Sequence, residues 1–133
     1  MTRVFVDTVG LIALWDEADQ WHSAASDAAK RLADRGVRLV TSSAVFLECG
    51  NAAARKPYRV DVDPLRRAFA LRGDLFVPSE LEIERAWAAY RRGEAGEAGI
   101  VDHLSFEVMR RIGVTEAFTN DRHFTAAGFA VLF

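Results

Sequence analysis

Short runs of β-branched and aromatic residues alternate along this chain with stretches whose apolar residues return every three or four positions. That alternation limits the fold more than any other feature. Strands that alternate with helices join as right-handed crossovers and build a largely parallel sheet. The expectation is an α/β fold, a single domain over residues 1–133 with about five strands.

The strands read as Arg3–Val6, Val37–Thr41, Asp74–Val77, Ala117–Thr119 and Phe129–Phe133. Between them, Thr8–Trp15 reads as a short apolar helix. Trp21, Ala24, Ala25, Ala28, Ala29 and Leu32 mark one face of a longer one that stops near Gly36. Ser42 or Ser43 can cap a third helix carrying Val45, Phe46, Leu47 and Glu48, ended by Pro57. Asp63-Pro64 reads as the start of another, with proline at a tolerated early position. Ser79 and Glu82 have capping-box spacing before a helix that shows Ile83, Ala86, Trp87 and Tyr90 on one face. Residues 93–99, GEAGEAG, read as a loop. Val101 to Ile112 gives a helical stripe ended by Gly113, and Phe124–Gly128 a short helix or turn.

Composition excludes several functions. A single cysteine, Cys49, cannot close an internal disulfide, and no zinc-type Cys/His spacing is present. No signal peptide and no membrane-spanning apolar run is visible, so the chain reads as soluble and cytoplasmic. No Gly-rich nucleotide-binding signature occurs. The net charge of −2 opposes nucleic-acid binding by bulk electrostatics. An RNA substrate then requires metal ions at an acidic site and basic residues grouped locally. Arg55, Lys56 and Arg59, then Arg66, Arg67 and Arg72, then Arg91 and Arg92 are such groups, each also readable as a solvated helix face.

The acids are worth reading in order, because functional crevices of parallel sheets lie beyond the carboxyl ends of the strands. Asp7 follows the first strand, and Asp121 follows the run Ala117–Thr119. Asp102 opens a helix after a glycine-bearing loop, and Glu48 lies early in the helix after the second strand. All four point to the same edge. Singly, Asp7, Asp102 and Asp121 can be N-caps and Glu48 a solvated helix residue. Together they would repel by ~1–4 kcal/mol per touching pair, so a cation must accompany them. Oxygen ligands without cysteine or clustered histidine select Mg²⁺ or Mn²⁺ over zinc. Thr119 and Asn120 can hydrogen-bond the acids, and the Thr8 hydroxyl can orient a ligand or cap a helix. Asn51 shares the helix face of Glu48. His22, His103 and His123 form no metal set at helical spacing; the last two read as neighbours of the site or as packing residues.

VFVDTVGLIALWD at the start, SSAVFLECGN, and VDHLSFEVMRRIGVTEAFTNDRHFTAAGFAVLF at the end resemble the PIN domain, and within it the VapC-type toxins of bacterial and archaeal toxin–antitoxin pairs. The resemblance covers the entire chain and is most specific in the last segment, with its Asp, helix, Thr-x-Asp-x-x-Phe and terminal strand. It implies a three-layer α/β/α sandwich and endoribonuclease activity dependent on Mg²⁺ or Mn²⁺. It also implies homodimerisation and inhibition by a small cognate antitoxin. By the same resemblance Asp7, Glu48, Asp102 and Asp121 are the four acids of the family, and Thr119 the threonine of its Thr-x-Asp motif. Glu94 and Glu97 lie in the loop, from which one can join the metal cluster through water.

Two other readings stand beside this one. A haloacid-dehalogenase-type phosphohydrolase also opens with an Asp after its first strand, but needs a second Asp two residues on, where this chain has Val9. A PIN-like module that only binds RNA or a protein is the non-enzymatic alternative, and the intact acid set speaks against it. Trp15, Trp21, Phe69 and Trp87 are candidates for partner contacts, with core packing expected for at least two.

Overall fold

The computed structural model describes residues 1–133. Strand β1 (Arg3–Val6) lies at the centre of a five-stranded sheet of order β3-β2-β1-β4-β5, every adjacent pair parallel. Helices α1 (Thr8–Trp15) and α2 (His22–Arg35) lead to β2 (Arg38–Ser42); α3 (Ser43–Ala52) and α4 (Arg59–Leu71) lead to β3 (Leu75–Phe76). The chain then returns through α5 (Glu80–Arg91), the single turn α6 (Glu94–Glu97) and α7 (Ile100–Ile112) to β4 (Glu116–Phe118) on the other flank of β1. A short α8 (Arg122–Ala126) precedes β5 (Ala130–Val131). The first two crossovers move away from β1 in one direction and the third comes back. Right-handedness therefore sends the two sets of helices to opposite faces of the sheet, the α/β/α arrangement. Strand order reverses between β1 and β4, so the crevice at their carboxyl ends is the topological switch point.

The core explains the strand sequences. Val4, Phe5, Val6, Val40 and Ala117 are fully buried, as a central parallel strand covered on both faces requires. Phe106 of α7 meets Phe124 of α8 edge-on at 4.9 Å and stacks on Phe129 at 5.6 Å, which anchors the last segment of the chain. Gly10 has no room for a side chain: a Cβ there would stand 2.2 Å from the Phe118 carbonyl oxygen. Only glycine lets α1 press directly on the end of β4. Ser79 and Glu82 form the expected capping box of α5. Gly36 and Gly113 end their helices in the left-handed conformation, with φ of 66° and 70°.

Three segments depart from the sequence expectation. Helix α3 stops at Ala52, short of Pro57. Helix α4 begins at Arg59, not at Asp63-Pro64, so Pro64 lies inside it. The helix has no side-chain cap at Tyr58, so no local signal marks the true start. Residues 93–99 are not a simple loop. They contain the turn α6, with left-handed backbone at Ala95 (φ 54°), Gly96 (φ 68°) and Glu97 (φ 61°). Of the aromatic residues considered for partner contacts, Phe69 is core, and Trp15 is half-buried and stacked on Tyr58. Trp21 and Trp87 are exposed. No helix is long and apolar enough to cross a membrane.

Candidate active site

Asp7 ends β1 and occupies the N-cap position of α1, yet its side chain makes no cap hydrogen bond. It turns into the protein and is 1% exposed. The Thr119 hydroxyl donates to Asp7 Oδ2 at 3.0 Å, while Asp7 Oδ1 is buried with no partner at all. The same hydroxyl accepts from the Asp121 backbone N–H at 3.1 Å, so one threonine ties the first acid to the last. Burial, reinforced by the charge of Asp102, pushes the Asp7 carboxyl up to about 7.

Asp102 is the third residue of α7, whose N-cap is Gly99, so it is not itself the cap. Its Oδ2 accepts weakly from the Gly99 N–H at 3.4 Å. Burial, then the charges of Asp121 and Glu48, raise it to about 6. Glu48 is half-buried on α3 and close enough to raise both Asp7 and Asp102. Asp121 caps α8, its Oδ1 accepting from the His123 N–H at 2.9 Å. The four acids thus come from four separated segments: Asp102 and Glu48 lie near enough to raise Asp7, and Asp121 and Glu48 near enough to raise Asp102. No arginine or lysine pairs with any of them.

Around these acids the other residues divide. Thr8 is buried and its hydroxyl has no hydrogen-bond partner. Asn120 is half-buried and makes no side-chain hydrogen bond, and Asn51 is exposed. Glu94 and Glu97 are exposed, and Glu94 pairs with Arg92. His22 lies away on α2, its Nδ1 2.8 Å from the Ala13 carbonyl oxygen. His103 is a packing residue, 3% exposed and edge-on to Phe106. Among the basic groups, Arg66, Arg72 and Arg92 are each bound to an acid.

The sequence singles out neither of two residues near the site as part of it, though His123 reads as a neighbour. Cys49 is fully buried, and burial pushes its thiol up to about 12, which leaves it un-ionised. His123 stands with Asp102 and Asp121 in a group whose ligand-type atoms lie within 4.8 Å of one another. A histidine two residues beyond an N-cap aspartate was the available sign, since the cap bond draws that residue back over the carboxylate.

The arrangement suits a hard divalent cation. It offers clustered carboxylate oxygens, one of them fully buried and unbonded, and no arginine or lysine to neutralise them. The model of the PIN domain matches residues 4–130. The chain belongs to the PIN-domain family. The 23S rRNA-specific endonuclease VapC20 of Mycobacterium tuberculosis is 35% identical over 95% of each chain. The crystal structure of VapC20, titled a sarcin-ricin loop cleaving toxin, superposes with a TM-score of 0.76 at 30% identity over 96% of each chain. The DNA-bound VapBC complex of Salmonella typhimurium shares the PIN fold at TM-score 0.65 and 17% identity, covering 98% of this chain and 97% of that one. FitAcB of Neisseria gonorrhoeae does so at 0.60 and 16%, covering 98% and 96%.

Proposed function

We propose that this PIN domain is the endoribonuclease toxin of a toxin–antitoxin pair, dependent on Mg²⁺ or Mn²⁺, with structured ribosomal RNA as its first candidate substrate. The observation that carries the reading is the grouping of Asp7, Glu48, Asp102 and Asp121 without an arginine or lysine to balance them. Whole-length similarity to a ribosomal-RNA endonuclease supports the choice of substrate class.

Asp7, Asp102 and Asp121 would hold the cation, with Glu48 placed to take part in the cluster or to orient a water. A divalent ion bound there supplies Lewis acidity, which lowers the pKa of a coordinated water and offsets charge on the departing oxygen. The protein's own part is positioning and proton management. Thr119 fixes the Asp7 carboxylate by one oxygen and leaves the other free to bind. Asp7 and Asp102, raised to about 7 and about 6, surrender protons as a cation binds, so loading near neutral pH releases protons. Attack by water in line, with the 3′-oxygen leaving, yields 5′-phosphate and 3′-hydroxyl ends.

The test is incubation of purified protein with end-labelled ribosomal RNA and Mg²⁺ or Mn²⁺, against a chelator and Asp7→Asn. Cleavage that needs metal and vanishes in the variant is the expected result. Cation binding by calorimetry without cleavage of any cellular RNA would reduce the protein to a binding module.

A further inference from the structure

His123 begins the last short helix beside two of the acids. Its Nδ1 lies 2.8 Å from an Asp121 oxygen and 3.8 Å from Asp102 Oδ2. Yet this nitrogen is buried and makes no hydrogen bond. A histidine present only to neutralise an acid aims its N–H at that acid. This ring instead leaves its nitrogen at the edge of a shared space. An octahedral cation with bonds of ~2.1 Å has neighbouring ligands about 3 Å apart, close to the spacings found here. Asp7, almost wholly buried, is tied to Asp121 through Thr119 and feels the charge of Asp102; its unpartnered Oδ1 is the independent sign that this cluster awaits a ligand.

The turn at 95–97, left-handed at Ala95, Gly96 and Glu97, runs beside the ring: a Cβ added at Gly96 would stand 3.7 Å from His123 Cδ2. The backbone N–H of His123 is fixed by Asp121, which anchors the residue beside that carboxylate.

We propose that His123 is a metal ligand, its Nδ1 joining Asp102 and Asp121 on one divalent cation and tilting the site toward Mn²⁺ over Mg²⁺. The inference rests on the cation-dependent reading above. Imidazole nitrogen is a softer donor than carboxylate oxygen, and transition-metal ions gain from it where Mg²⁺ does not. A purely carboxylate cluster would show no such bias from the histidine.

Pulsed electron paramagnetic resonance of the Mn²⁺-loaded protein reads the bond directly. A ¹⁴N coupling to Mn²⁺ is expected in the native chain, replaced by ¹⁵N on histidine labelling, and absent from His123→Gln with Mn²⁺ still bound. By calorimetry, His123→Gln should lower Mn²⁺ affinity about tenfold and leave Mg²⁺ affinity nearly unchanged, since even an outer partner of a ligand is worth on the order of tenfold. His123→Asp, which restores an oxygen donor, should recover binding with the Mn²⁺ preference gone. Bound Mn²⁺ without histidine nitrogen coupling in the native protein overturns the assignment and leaves the carboxylate site standing. Failure to bind Mn²⁺ at all overturns both. The native spectrum decides the matter even if a variant fails to fold.

Discussion

The molecule buries carboxylates in two different ways. Asp74 and Glu82 are 3% and 6% exposed, and both are matched by arginine: Arg38 and Arg72 on Asp74, Arg111 on Glu82. Asp7 is buried more deeply than either and has no cation, only the Thr119 hydroxyl. The consequence appears in the proton affinities. Burial alone would raise Glu82, but hydrogen bonds from Ser79 and Arg111 more than offset it and hold the group below its usual value. At Asp7, burial and the Asp102 charge outweigh the hydrogen bonds from Thr119 and the Thr8 backbone, and it rises to about 7. Paired acids fasten elements together. The unpaired cluster opposes folding and creates a place for an ion.

Breaking the unpaired side gives the largest expected effect. Asp7→Asn keeps the oxygen that accepts from Thr119 but removes a ligand charge. RNA cleavage should fall roughly a thousandfold, about 4 kcal/mol of barrier. The same variant should melt about 5 °C higher without metal, because repulsion and desolvation are relieved. A chain that unfolds on this change would make Asp7 a structural residue.

Breaking the paired side should do the reverse. Arg111→Ala leaves buried Glu82 with only the Ser79 N–H and removes the donor to the Val77 carbonyl. Since the guanidinium is nearly half exposed, the loss should be about 2 kcal/mol by urea denaturation, below that for fully buried pairs. The activity of the protein that remains folded should be unchanged. A larger effect on cleavage than on stability would join the two regions functionally.

Acidity separates the regions next. The folded-state value of Asp7 lies above its ordinary 3.8, so the folded chain holds that proton more tightly than the unfolded one. Its contribution is full below about pH 4 and is lost as pH rises through 7, with Asp102 adding in the window up to about 6. Glu82 acts oppositely: its stabilisation is present above its ordinary 4.5 and is lost on acidification. Metal-free protein should therefore lose stability between pH 4 and 7 in thermal melts, and Asp7→Asn should flatten that slope. An unchanged slope in the variant would show that Asp7 does not carry it.

The smallest effect is metal rescue. Millimolar Mg²⁺ should raise the melting temperature by a few degrees at pH 8, where the acids are ionised, and by less at pH 5, where protons compete. Equal shifts at both values would place the binding ion elsewhere.

The legible parts of the molecule are those where local chemistry and tertiary role coincide. Asp7, Asp102 and Asp121 could be ordered along one edge because each follows a strand or opens a helix, and parallel topology decides which edge that is. The capping box at Ser79 and the stops at Gly36 and Gly113 are local bonds with local signatures. Helix α4 was misplaced because Pro64 resembles a first-turn residue while Tyr58 resembles no cap. The left-handed turn was hidden because Ala95 and Glu97 have no preference for positive φ; packing around α6 and α8 imposes it. The strand ends shifted by a residue or two, since parallel pairing, not residue type, decides where β3 and β5 stop. The unbonded nitrogen of His123 is a three-dimensional fact that spacing does not encode.

The threonine link between Asp7 and Asp121 has a consequence for synthesis. Asp7 is made long before its partners: its hydrogen-bond donor is residue 119 and the strand beside it is residues 116–118. The two halves of the cleft are made more than a hundred residues apart. A nascent chain therefore cannot assemble the acid cluster until translation has passed Asp121, the last of the four.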